Sequence, residues 1–467
     1  MIRTLKIIIC CYFSVSLAAG QRIVVGDEQQ VDVSVTVYNG NFAIIREKRD
    51  VLLPIGEFEL EFRDVARSID PSSVLVISAA DERGLQVFEQ SYRYDLLNKQ
   101  TLLERFLGRK LKYSRSVLEG TRYEKMLREG VLLSINPEIV RFGDEIEIEP
   151  EGIISLAYLP DDLITTPTLL WTMENSVQDR QGLQISYLTE NVSWQADYIL
   201  TLNNDESKAD LDGWVTLVNQ SGAAYRNAKL KLVAGDVQRI RSRPVMAHRA
   251  TLEAQEFAAV VPGRQSFFEY HVYDFPRRTT LEANSVKQVR LMAAKSIDIE
   301  KSYVLQNEVV LYQAQGMQNL KADVILAFRN TRKNNLNVPL PAGKVRVYKA
   351  DSEGILQLAG EDRVQHTPVN SDIVIKVGRA FDVTAIRKQT EYRRLGNRGV
   401  EVGYSITVKN HKDKAIELVV KEKLNGDWII IQESHKGQKL DSATLAYTLK
   451  LPKGAEQTVT YLARFNH

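Results

Sequence analysis

Several groups of residues in this 467-residue chain have the types and spacing to do chemistry. Asp210-x-Asp212-Gly213 resembles part of a calcium loop, which needs oxygen ligands at alternating positions. Setting Gly213 at the sixth loop position puts Lys208 first and Asn219 twelfth. A cation then holds the first ligand position and the closing carboxylate is missing, so the segment reads as a polar hairpin turn. Asp144-Glu145-Ile146-Glu147-Ile148-Glu149 alternates acid with isoleucine. It could offer a carboxylate ridge to a cation or a basic partner; the simpler reading is a strand with a solvated acidic face and Ile146 and Ile148 turned inward. His271 and Asp274 are three residues apart, which puts them on opposite faces of an extended strand, so His271 reads as structural. Trp171, Trp194, Trp214 and Trp428, with 19 tyrosines, could stack on sugar rings. Trp194 lies on the apolar face of its own strand, where aromatics fill core. Trp214 falls opposite Gly213, Val215 and Leu217, facing solvent, a ligand or a second sheet.

What is missing narrows the chemistry further. There is no His-Glu-x-x-His, no Gly-x-Ser-x-Gly elbow, no Ser-x-x-Lys pair and no Gly-x-x-x-x-Gly-Lys phosphate loop. The histidines (His248, His271, His366, His411, His435 and His467) are all more than ten residues apart, so no local metal motif exists. Cys10 and Cys11 are the only cysteines. They fall in residues 1–20, which read as a cleavable export signal: Arg3 and Lys6 ahead of an apolar run from Ile7 to Val15, then Ser16-Leu17-Ala18-Ala19-Gly20. The apolar run is too short to span a bilayer, and the residues before either cysteine are too large for a lipidation site. The expected mature chain has no thiol chemistry, and its 59 basic side chains balance 59 acidic ones. Binding to nucleic acid through a charge surplus is not expected. Site residues, catalytic, cofactor-binding or metal, are none, and no cofactor is expected.

The elements that must position these residues are strands. Period-two alternation dominates. Val192, Trp194, Ala196, Tyr198, Leu200 and Leu202 form one face; a polar loop at 203–208 and the alternation Leu211, Gly213, Val215, Leu217 complete a hairpin over 192–218. Strands are expected at Val31–Val37, Glu57–Phe62, Val74–Ser78, Ile153–Tyr158, Thr168–Met173 and Leu183–Leu188. Further ones follow at Leu230–Val233, Ile297–Tyr312, Ala322–Phe328, Val345–Tyr348 and Ile373–Val377. A helix is expected from Asn98 to Leu107, stopped by Gly108. The Ala/Glu-rich stretch 247–260 is a second helix candidate or a connector. Residues 120–136 are ambiguous, with Glu129-Gly130 before Val131-Leu132-Leu133 favouring a hairpin. Strands at about ten-residue spacing after Gly403 (Glu417–Lys421, Trp428–Gln432, Ala446–Leu451 and Gln457–Ala463) suggest an immunoglobulin-like sandwich.

Several motifs resemble a bacterial exported family of unknown function, the mucoidy-inhibitor-like proteins. They are Leu188-Thr189-Glu190-Asn191-Val192-Ser193-Trp194-Gln195-Ala196-Asp197-Tyr198, Gly213-Trp214-Val215-Thr216-Leu217 and Ala228-Lys229-Leu230-Lys231-Leu232-Val233-Ala234-Gly235-Asp236. Tyr270-His271-Val272-Tyr273, Thr279-Thr280-Leu281, Lys287-Gln288, Val37-Tyr38-Asn39 and Phe42-Ala43 extend the similarity. The resemblance implies a β-rich envelope protein and supplies no catalytic residues; the coiled-coil insertion of some relatives is missing.

The expected fold is mainly β: several antiparallel sheets or sandwiches with few helices and an immunoglobulin-like C-terminal sandwich. The expected units are a signal peptide (1–20), an N-terminal β domain (21–90), a small module with one helix (91–152), a central β domain (153–380) and the C-terminal sandwich (381–467). The expected function is an exported, periplasmic or extracellular, non-enzymatic envelope protein that binds or organises a glycan or protein partner. The rival is a glycan-directed envelope hydrolase whose carboxylates converge only in the fold.

Overall fold

The computed structural model describes residues 21–78, 84–94, 98–119, 122–158, 160, 165–177, 180–235, 237, 239, 265–267, 270–311, 313–396 and 399–466. The expected leader with its two cysteines and the stretch 247–260 lie outside the described residues. What remains is strand almost throughout, with one α-helix, Lys99–Phe106, among the described residues. Asn98 caps that helix by accepting the Thr101 amide at 2.9 Å, as an N-cap asparagine does.

The strands form five sheets. A seven-stranded sheet runs in the order Gln265–Phe267, Tyr270–Leu281, Tyr225–Ala234, Gln30–Tyr38, Phe42–Leu52, Arg180–Glu190, Leu75–Ser78. A five-stranded sheet runs Ser285–Asp298, Lys208–Asn219, Val192–Leu202, Gly343–Ala350, Leu356–Val364. These two, with a four-stranded sheet containing Gly56–Arg63 and Thr168–Asn175, enclose the largest core. The alternation read from the sequence is obeyed: Val192, Trp194, Ala196, Tyr198, Leu200 and Leu202 are all buried in that core. Most pairings are antiparallel, but Gln21–Val25, Tyr225–Ala234, Gly343–Ala350 and Glu300–Glu308 each pair in parallel with a strand distant in sequence.

The apolar run expected as one strand over 297–312 divides. Ser285–Asp298 belongs to the five-stranded sheet and Glu300–Glu308 to a nine-stranded one, with Ile299 between them. That nine-stranded sheet holds the expected C-terminal strands together with Glu300–Glu308, Gln318–Arg329 and the 23-residue strand Asp372–Arg394. It curls until its ends meet. Trp428 Nε1, on one end strand, donates to the Ser442 carbonyl at 2.8 Å, and Lys439 Nζ, on the other, stands 4.4 Å over the indole. Inside the curl is a second core, from Tyr303 to Phe465. Gly360 locks the two sheet systems together. A Cβ there would lie 1.9 Å from the Val377 carbonyl oxygen, so only glycine lets Leu356–Val364 lie this close to Asp372–Arg394.

The remaining sheet, Glu145–Ile148, Glu138–Phe142, Arg122–Ile135, Lys110–Glu119, Ile153–Ser155, carries the helix on one face and has its own core of Leu103, Phe106, Leu111, Tyr113, Leu132, Val140 and Phe142. Glu129-Gly130 is not a turn. Gly130 lies inside the strand, where a Cβ would be 2.5 Å from Val140 Cγ1. Ile146 and Ile148 are not turned inward either: they are 62% and 67% exposed. Register explains this. Ile146 pairs with Arg141 and Ile148 with Ile139, which sets them on the face without the helix, while Glu147 reaches Arg128 on the covered side.

Candidate functional site

The outer face of the five-stranded sheet carries the one tryptophan of the four that is not buried. Trp171, Trp194 and Trp428 are at most 8% exposed, whereas Trp214 is half-buried. Its strand, Lys208–Asn219, alternates strictly, so the residues between Ala209, Leu211, Gly213, Val215 and Leu217 face away from the core. A bulge between Gly213 and Trp214 shifts the register to the neighbouring strand, and bulges re-aim side chains in this way. Across the sheet Trp214 stands directly between Asp197 and Arg290. Asp197 accepts from Thr216 Oγ1 at 2.7 Å and lies 3.7 Å from Arg346 Nη1. Thr216 in turn accepts from Gln288 Nε2 at 3.1 Å. The result is an indole framed by an acid, a guanidinium, a hydroxyl and an amide, held by neighbouring strands.

Four carboxylates (Asp27, Asp32, Glu47 and Asp64) line a separate cleft of about 410 Å³, with Arg226 and Arg278. Asp32 is bound by Arg278 at 2.7 Å and Lys229 at 3.1 Å, and Asp27 lies 3.4 Å from Arg226. Glu47 is 5% exposed, with Oε2 held by Arg49 Nη2 at 3.1 Å. Burial pushes its carboxyl above the usual range, against the opposing charge of Arg49. Hydrogen bonds from Arg49 and from the Tyr187 hydroxyl pull the other way; within the pair Glu47 Oε1 and Arg49 Nε are both buried and unpaired. Burial also pushes the hydroxyls of Tyr187 and Tyr225 up. Sequence reasoning missed this cleft, because its members come from separate strands and turns and form no motif.

A third polar cluster lies inside the C-terminal curl. Arg387 and Glu422, at 1% and 0% exposure, pair with Nη2 2.6 Å from Oε2. Tyr461 donates to Glu422 Oε2 at 2.7 Å, Asn307 to Oε1 at 2.8 Å, and Arg387 Nη1 to Gln315 at 3.2 Å. The guanidinium stacks 3.7 Å from the centre of the Tyr404 ring. Both charges are fully engaged, which makes the cluster a structural tie.

The other residues singled out in the sequence disperse. Asp210 and Asp212 lie in a strand, not in a hairpin turn. Asp210 accepts the Ser296 amide at 3.0 Å and Lys295 Nζ at 2.9 Å, bracing the bulge opposite, and Asp212 binds Arg290. His271 is exposed and so is not a core residue, and Asp274 pairs with Lys231 at 3.4 Å. Among the described residues no three His, Cys, Asp or Glu side chains gather as a metal site, and no helix is long and apolar enough to cross a membrane.

Residues 183–467 match the model of DUF4139, described as a domain of unknown function. No curated protein matches the chain. The matched segment contains Trp214 and its whole frame; the four cleft carboxylates precede it.

Proposed function

The chain belongs to the DUF4139 family, a domain of unknown function, and from that premise we propose that it is an exported, non-enzymatic envelope protein that binds glycan through the Trp214 face. Within the family it sides with the mucoidy-inhibitor-like proteins, on the motifs around Trp194 and Trp214. Export rests on the leader-like residues 1–20, and N-terminal sequencing of the protein from the envelope would test it; an intact Met1 would refute it.

The observation that carries the binding reading is the half-buried Trp214 between Asp197 and Arg290 on an open polar face. A sugar ring presents an apolar C–H face to an indole and hydroxyls to the acids, amides and guanidinium around it. The rim side chains Gln288 and Arg290 are exposed and within reach of a chain lying across the strands. The test is retention of the protein on immobilised envelope polysaccharide, for the native chain and for Trp214→Ala. Loss of retention by a folded variant supports the reading. Equal retention overturns it, and retention instead by an envelope protein would move the partner to that class.

The hydrolase reading would rest on Glu47 and Asp64, since Asp27 and Asp32 are ion-paired. It ranks second, because Glu47 is buried and tied to Arg49. Glycan turnover abolished by Glu47→Gln would reverse the order.

A further inference from the structure

One line of side chains crosses all five strands on the outer face of the five-stranded sheet: Arg290, Trp214, Asp197, Lys344 and Arg363, each the register partner of the next. Resting on the reading of Trp214 as a glycan platform, we propose that this line binds an acidic glycan. Lys344 and Arg363 take the carboxylate of a uronic acid unit while Trp214 stacks on another ring of the same chain.

The charges of that face are unevenly matched. Val345 and Val347 point into the core, so Lys344 and Arg346 point out, and their partners Arg363 and Glu361 on the edge strand do the same. The face then holds five cations (Arg290, Lys295, Lys344, Arg346, Arg363) and four acids (Asp197, Asp210, Asp212, Glu361). Three of the cations answer every acid. Lys295 binds Asp210, Arg290 binds Asp212, and Arg346 lies 2.8 Å from Glu361 and 3.7 Å from Asp197. Lys344 and Arg363 are left with no acid in ion-pair reach among the described residues. They are also direct cross-strand partners, and like charges directly opposite each other cost stability. Arg363 is exposed and Lys344 half-buried, so an anion from solvent reaches both and relieves the repulsion.

Spacing and chemistry say which anion fits. A guanidinium takes the two oxygens of a carboxylate side by side, with the ammonium beside it. Neighbouring strands lie about 4.8 Å apart, which sets Lys344 about 10 Å and Arg363 about 14 Å from Trp214 along the line. Asp197, between them, is 7% exposed and already bound by Thr216 and Arg346. A ligand that meets the indole and both cations is therefore an extended chain and not a single sugar. A polyuronate has apolar ring faces for the indole and a carboxylate on the ring itself for the cations.

The test is calorimetric titration of the full chain with hexagalacturonate and with a hyaluronan hexasaccharide, each beside its fully methyl-esterified, uncharged form. At least one acid form is expected to bind saturably and at least about tenfold more tightly than its ester, which is about 1.4 kcal/mol. Replacing both cations (Lys344→Gln with Arg363→Gln) should bring that ratio close to one, without lowering the thermal midpoint, because a repulsive pair is removed. Should the double variant fail to fold, the comparison of acid with ester on the native chain decides. Equal binding of acid and ester, or an unaltered ratio in the folded double variant, overturns the acidic ligand and leaves the Trp214 platform standing. Tight acid binding that Trp214→Ala does not weaken overturns the platform instead. No binding of either acid form overturns the present inference, and the platform is then decided by its own retention test.

Discussion

Replacing Trp194 and Trp214 in turn by alanine separates core from surface on two neighbouring strands. Trp194 is 4% exposed, packs edge-on against Tyr273 at 6.3 Å, and donates Nε1 to the Val233 carbonyl at 3.3 Å. Truncating a buried tryptophan costs roughly 3–5 kcal/mol through lost burial and the cavity left behind. The aromatic pair is worth about 0.5–1.5 kcal/mol and the orphaned carbonyl about 1 kcal/mol or more. Trp194→Ala therefore belongs in the upper part of the range, about 4–5 kcal/mol. Trp214 shares no core contact of this kind, and about 1 kcal/mol is the expected loss for a half-buried outer-face residue. With a urea slope of about 3 kcal/mol per molar, the top of the range for small proteins, the midpoints should fall by about 1.5 M and about 0.3 M. Urea titration followed by far-UV circular dichroism measures both, reading the transition that Trp194→Ala moves, because a chain with separate cores need not unfold in one step. Two equally large shifts would place Trp214 in core and remove the glycan platform; two equally small shifts would refute the packing assigned to Trp194.

Breaking the Arg387–Glu422 pair from one side should be severe. Glu422→Gln leaves a buried cation uncompensated, with an expected loss of about 3–5 kcal/mol, while Arg387→Met with Glu422→Leu should cost much less; thermal melts of the single and double variants distinguish these. Glu206, in the turn before Lys208–Asn219, is reached by Lys301 and Lys349 at 2.7 Å and by Lys414 at 3.5 Å, tying the five-stranded sheet to the nine-stranded one. Burial alone would raise its carboxyl, but the lysine hydrogen bonds hold it down to about 2, below its ordinary 4.5. The folded value is depressed, so this contribution is full above pH 4.5 and lost as the pH falls toward 2; acid melts should show that slope in the native chain and a flatter one in Glu206→Gln. Finally, Ile146→Lys and Ile148→Lys should each change stability by less than about 0.5 kcal/mol, since both side chains are exposed; a loss of several kcal/mol would restore the inward orientation.

Alternation and turn chemistry are local, and the sequence by itself determined what depends on them: a β-rich chain, the helix after Asn98, the buried face from Val192 to Leu202, and the outward position of Trp214. Period-two patterning says which residues share a face, because side-chain direction in a strand follows from backbone geometry alone. It does not say which face is covered. Ile146 and Ile148 pair along an edge whose open side has no partner layer among the described residues, so an apolar pattern ended at the surface. Nor does patterning reveal parallel pairing between distant strands, the step at Ile299 from one sheet to another, or the closure of nine strands upon themselves. These are decided by long-range register and by close approaches such as Gly360 against the Val377 carbonyl. The Glu47 cleft belongs wholly to that second class. Its acids come from positions 27, 32, 47 and 64 and its tyrosines from 187 and 225. Only tertiary packing brings them together, and only burial turns an ordinary strand glutamate into one whose carboxyl is pushed above its usual range.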